Sequence, residues 1–174
     1  MREVGFAALL ALAACGESGG KQSAEEVADT LSDVRIQAGL WEATNEVIDV
    51  SSPALPAEVL AQMKGQKTSV RNCVTPEQAA KPDANFLAAQ KDSSCTYQDF
   101  AMRDGRMTGT MTCKPPGTDG AMVMTLDGRY GATEYDMAVT MKASGMAEGQ
   151  TMTMRARTTG RRVGDCTPGQ GELE

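Results

Sequence analysis

The sequence contains no histidine. That excludes a Ser-His-Asp triad and a Cys-His pair, because both need imidazole as the base. It also removes a common ligand of copper and zinc sites. Aromatic residues make up 4% of the 174 positions, with a single tryptophan. The core must therefore be built from aliphatic side chains and methionine. Basic residues are too few to balance the acids, 17 against 23, for a formal charge of −6. Such a chain lacks the basic footprint that nucleic acid requires and gains nothing electrostatically from anionic lipid. No two cysteines stand as C-x-x-C, so neither a redox dithiol nor a zinc ribbon is suggested. No apolar run reaches the roughly 20 residues of a membrane-spanning helix. From these absences we expect no enzyme, no catalytic residue, no cofactor and no resident metal.

What is present begins at the N-terminus. The apolar run Val4 to Ala14 has the length of a signal-peptide core. It ends in Leu12-Ala13-Ala14-Cys15, small residues before a cysteine, which resembles the lipobox of bacterial lipoproteins. There the thiol is acylated and the cysteine becomes the mature N-terminus, so Cys15 is the expected lipidation site. Several acyl chains on one terminus anchor stably, where a single one does not. Gly16, rather than aspartate, follows the cysteine. By resemblance to enteric sorting rules this favours the outer membrane over the inner, with the chain facing the periplasm. The expected organisation is a signal peptide over 1–14, a lipid-anchored tether with a short helix over 15–35, a β-rich domain over 36–166, and a disordered tail over 167–174.

Removing Cys15 leaves Cys73, Cys95, Cys113 and Cys166, an even number that an oxidising compartment pairs into two disulfides. Residues 16–22 read as a flexible polar tether. Ser23-Ala24-Glu25-Glu26 is a capping-box pattern, starting a helix with Val27 and Leu31 on one side, too short to be stable alone. Gly39 to Val47 alternates, with Trp41, Ala43 and Val47 on one face and Glu42, Thr44 and Glu46 on the other, as in a half-buried strand. A short helix is expected over Ala57 to Lys64, with Val59, Leu60 and Met63 apolar, and a strand over Lys67 to Val74. Thr75-Pro76-Glu77-Gln78 is a second helix start, with Lys81-Pro82 ending that helix.

The second half is read as hairpins. Ser94 to Met102 and Arg106 to Cys113 flank Asp104-Gly105. A three-residue loop, Arg103-Asp104-Gly105, would face Met102 with Arg106 and place Cys95 directly opposite Cys113. That register predicts the disulfides Cys95–Cys113 and Cys73–Cys166; a two-residue loop would set the first pair out of step. Ala121 to Leu126 and Arg129 to Lys142 flank Asp127-Gly128, a second expected turn, and Thr151 to Val163 is the last strand. The expected fold is mainly β: an antiparallel meander forming a curved sheet or small barrel-like domain, with one to three short helices.

Twelve methionines are present, and ten fall between Met102 and Met154, alternating with threonine. Residues two apart on a strand share a face, so Met122 points with Met124 and Met152 with Met154. Flexible thioethers fill cores poor in aromatics, while threonine suits the solvent face. The same stripe, with Trp41, supplies candidate ligand-facing residues for a hydrophobic small molecule, and thioethers are also soft donors for Cu(I). The carboxylates Glu42, Glu46, Asp99, Glu134 and Asp136 are read as a solvated face rather than an acid pair. Arg161-Arg162 is the compact basic pair of the domain, read as surface residues at a strand end.

Gly39-Leu40-Trp41-Glu42, Asn72-Cys73-Val74-Thr75-Pro76-Glu77, the Met-Thr alternation, the middle cysteines and Gly160-Arg161-Arg162-Val163-Gly164-Asp165-Cys166 occur in this order. Together they resemble the exported bacterial proteins called domain of unknown function three-six-one-seven, over about Gln37 to Cys166. The resemblance implies a small periplasmic or lipid-anchored protein. It brings no activity and no catalytic residues. The expected role is a non-enzymatic envelope lipoprotein that binds or scaffolds, with the membrane as one partner and an unknown protein or hydrophobic ligand as another.

Overall fold

A computed structural model of the chain describes residues 20–32, 34–80, 94–114, 117, 119–145 and 150–167. The expected signal peptide, Cys15, the helix stop at Lys81-Pro82 and residues 168–174 of the tail lie outside the described residues. In chain order the elements are β1 (Lys21–Gln22), α1 (Ala24–Ser32), β2 (Gly39–Ser51), α2 (Ala57–Met63) and β3 (Lys67–Val74). They continue with α3 (Pro76–Ala80), β4 (Ser94–Arg103), β5 (Arg106–Lys114), β6 (Ala121–Tyr130), β7 (Glu134–Ser144) and β8 (Thr151–Gly164). The strands form one eight-stranded sheet in the order β1-β4-β5-β6-β7-β8-β2-β3. It is antiparallel and curved but does not close, with three short helices beside it. From β4 to β8 it is the expected meander. The β2–β3 hairpin, early in the chain, then adds to the far side of β8.

The first hairpin corrects the sequence reading in two places. Its loop is two residues, not three: Asp104 and Gly105 both have positive φ, 53° and 72°. These are the angles of a turn whose twist matches the strands, and Asp-Gly supplies them at low cost. Arg103 therefore faces Arg106, and Met102 faces Met107. The register then shifts between Gln98 and Ala101, where Asp99 takes a φ of 51°. The extra residue is a β-bulge, and it returns Cys95 to a position opposite Cys113. Phe100 is turned inward by the bulge, over Gly109, where an added Cβ would lie 2.6 Å from its ring.

The second expected turn is not a turn. Asp127-Gly128 lies inside β6, and the chain reverses at 131–133, with Tyr130 opposite Tyr135. The Gly131 N–H donates to the Glu134 carbonyl at 2.7 Å to close it. Gly128 is required for another reason: a Cβ there would stand 2.2 Å from the Asp136 carbonyl oxygen.

Both helix starts form as read. The Ser23 N–H donates to Glu26 Oε2 and the Glu26 N–H to Ser23 Oγ. At α3 the Thr75 N–H donates to Gln78 Oε1 and the Gln78 N–H to Thr75 Oγ1. The tether reading fails at its last residues. Lys21 and Gln22 pair with Gln98 and Tyr97, and the Gln22 amide bonds both the N–H and the carbonyl of Phe100, at 2.7 and 3.0 Å. That edge clamp holds α1 against β4. Val27 and Leu31 of α1 are buried with Tyr97, Phe100, Met107, Met111 and Met137, so tertiary burial supplies the stability that a short helix lacks. α2 buries no residue, and Val59 is exposed.

Two disulfides, Cys73–Cys166 and Cys95–Cys113, staple the sheet. The first ties the edge strand β3 to the segment after β8. The second crosses the β4–β5 hairpin.

Candidate functional site

The strands sort their side chains by alternation. One face carries the methionines, and the pairing lines them up across strands. Met111 opposes Met124, Met124 opposes Met141, and Met141 opposes Met154, so β5 to β8 each give one methionine to a single row. Tyr97 and Val50 close the row at its two ends. In the next row Ala143 lies between Met122 and Met152. Ala143 is buried, while Met122, Met124, Met141, Met152 and Met154 are half-buried. Opposed Cβ atoms on such pairs are about 4.5–5.5 Å apart, so Met124, Met141 and Met154 adjoin along their row, while Met122 and Met152 stand two strands apart on either side of Ala143.

The structure therefore brings together Met122, Met124, Met152 and Met154, and it adds Met141, which the sequence reading did not single out. A turn at Asp127-Gly128 would have set Met124 opposite Gly131; the true turn sets it opposite Met141. The Tyr130-Gly131-Ala132-Thr133-Glu134-Tyr135 stretch, with its paired tyrosines, was the signal for the correct register. Trp41 is not part of the group. It lies on β2 nine positions from Val50, about 30 Å along the strand. Trp41 is buried against the stacked ring of Tyr135, with centroids 6.2 Å apart, and its indole N–H donates to the Gln37 carbonyl at 2.9 Å. Burial also pushes the Tyr135 phenol pKa up.

The other face is polar and borders an open concavity of about 1240 Å³. Its carboxylates are tied to cations. Glu42 accepts from Arg71 at 2.7 Å and Arg161 at 2.9 Å, and those hydrogen bonds hold its pKa below the usual glutamate value. Asp136 is held low by Arg157, and Asp49 by Lys64 and then Arg155. Glu46 pairs with Lys67 at 3.2 Å. A general acid at neutral pH needs the opposite shift, so Glu42 and Asp136 are poised as structural anions. Asp99 serves the bulge, and Glu134 begins β7.

Arg161 and Arg162 do not act as a pair. Neighbours on a strand point to opposite faces: Arg161 goes to Glu42, while Arg162 Nε donates to the Ala38 carbonyl at 2.7 Å and its guanidinium meets Asp165. Among the described residues no group of three or more His, Cys, Asp or Glu side chains could hold a metal ion. No described helix is long and apolar enough to cross a membrane.

The fold and its two staples define a disulfide-stapled, single-sheet β protein with a methionine-lined face. The family model described as "Protein of unknown function (DUF3617)" matches residues 36–166, and the chain belongs to that family. No curated protein and no solved structure matches the chain.

Proposed function

We propose that this protein is a non-enzymatic binding module of the bacterial envelope, anchored through lipid on Cys15 and presenting its methionine face to a small ligand. The observation that carries the reading is the partial cover of that face. Met107, Met111 and Met137 are buried in the core cluster with Val27 and Leu31 of α1, whereas the five methionines around Ala143 are only half-buried. Methionine adapts to varied partners because its side chain is unbranched and polarizable. The concavity on the other face is lined in part by the ion-paired Glu42, Arg106, Asp136 and Arg161, so the methionine face is the better surface for a soft or apolar ligand. The lipobox-like Leu12-Ala13-Ala14-Cys15 and the two disulfides support an exported, anchored chain, with Gly16 favouring the outer membrane.

Intact mass of the protein taken gently from its own envelope, native and then denatured, tests both parts. A denatured chain starting at Cys15 with added acyl groups is expected, together with a further native mass that is lost on unfolding. An unmodified Cys15 would refute the anchor. A native mass equal to the denatured mass would refute the bound ligand.

A further inference from the structure

We propose that Met122, Met124, Met141, Met152 and Met154, arranged around Ala143, form a thioether site for a soft monovalent cation, Cu(I) or its analogue Ag(I). The inference rests on the binding-face reading and names the ligand class of that face.

Three observations carry it. First, the register places the five methionines on one face of three neighbouring strands. Met141 on the central strand β7 has Met124 and Met154 directly opposite, one on each side. Met122 and Met152 flank Ala143 in the adjoining row. Each sulfur lies two bonds beyond its Cβ, so thioethers from neighbouring strands can meet on one ion. Ala143 stops at Cβ and is buried, so the longer side chains beside it cover it.

Second, these five methionines are less buried than those of the core. At half-exposed strand positions, β-branched and aromatic side chains are the favoured ones. Valine stands at such positions in the same sheet, at Val139 and Val47. Met107, Met111 and Met137 are buried in the core cluster, and Met124 packs against its rim. Around Ala143 the five methionines are half-buried.

Third, the donors fit the ion. Thioethers are soft and neutral, and they select Cu(I) over harder divalent ions without needing histidine. The cysteines of the domain are joined in disulfides, so no thiolate within it competes. A chain of net charge −6 also attracts cations over anions at long range.

The test uses the full mature chain, disulfides intact, any free thiol alkylated, and the methionine methyl groups labelled with carbon-13. Silver nitrate in chloride-free buffer is the metal probe, and N-phenyl-1-naphthylamine is an apolar, uncharged one. One Ag(I) per chain is expected in native mass spectra, with methyl shifts concentrated at the five methionines and little change at Met107 and Met137. Met122→Leu/Met152→Leu and Met141→Leu should each weaken Ag(I) binding by about tenfold or more, whereas Met107→Leu should not. Leucine conserves volume, so the circular dichroism of each variant should stay that of the parent. Ag(I) that leaves the five methyl groups unmoved, or binds the leucine variants equally, overturns the inference. Should the naphthylamine probe still bind in that case, the binding-face reading stands without the metal; should neither probe bind, both fall.

Discussion

Replacing each pair of bridged cysteines with alanine separates two ways in which a crosslink stabilises this sheet. In the chain-entropy account, a disulfide acts on the unfolded state, and its effect grows with the loop it closes. Cys73–Cys166 spans 93 residues and Cys95–Cys113 spans 18. The loop-closure relation then gives about 4.7 kcal/mol for the first and about 3.2 kcal/mol for the second at 25 °C. The Cys73→Ala/Cys166→Ala variant should therefore be less stable than Cys95→Ala/Cys113→Ala by about 1.5 kcal/mol. Urea unfolding followed by far-UV circular dichroism measures this directly. With a slope of about 1.5 kcal/mol/M, the two midpoints should differ by about 1 M. Equal midpoints, or a larger loss for the hairpin pair, would refute the reasoning. That outcome would mean that Cys95–Cys113 works in the folded state, by holding the register beyond the bulge at Asp99.

Three further outcomes follow from single contacts. Gly160→Ala would place a Cβ 2.1 Å from the Tyr135 ring; the ring should leave its stack on Trp41, changing tryptophan fluorescence and costing about 1–3 kcal/mol in denaturant titration. Gln22→Ala removes both amide bonds to the Phe100 backbone, with an expected loss of about 1–3 kcal/mol and faster hydrogen exchange at the Phe100 amide. Glu42, Asp49 and Asp136 have folded pKa values below the ordinary 4.5 of glutamate and 3.8 of aspartate. Their ion pairs stabilise fully above those ordinary values and the effect is lost as pH falls through the lower folded values, so Tm should drop on acidification in that window. Glu42→Gln should flatten this drop, and an unchanged acid slope in the variant would sink the assignment.

The sequence by itself determined what depends on neighbours along the chain. Alternation assigned the faces of β2, and with them the methionine and threonine faces of the later strands. Ser23 with Glu26, and Thr75 with Gln78, marked two helix starts, because a cap is made within a few residues. The family's landmarks, read in order, also pointed to the family whose model matches. Only the tertiary structure decided what depends on pairing. Asp-Gly at 104–105 and at 127–128 is the same dipeptide, yet the first turns and the second lies within β6, because extending β6 to Tyr130 sets Tyr130 against Tyr135. The cross-strand cysteines were placed correctly by a wrong loop, since the bulge at Asp99 supplied the missing residue. β2–β3 joined β8, far along the chain, through contacts that no local signal encodes. The five methionines around Ala143 come together for the same reason: a one-residue change of register sends every side chain to the other face, and distant strands settle that register together.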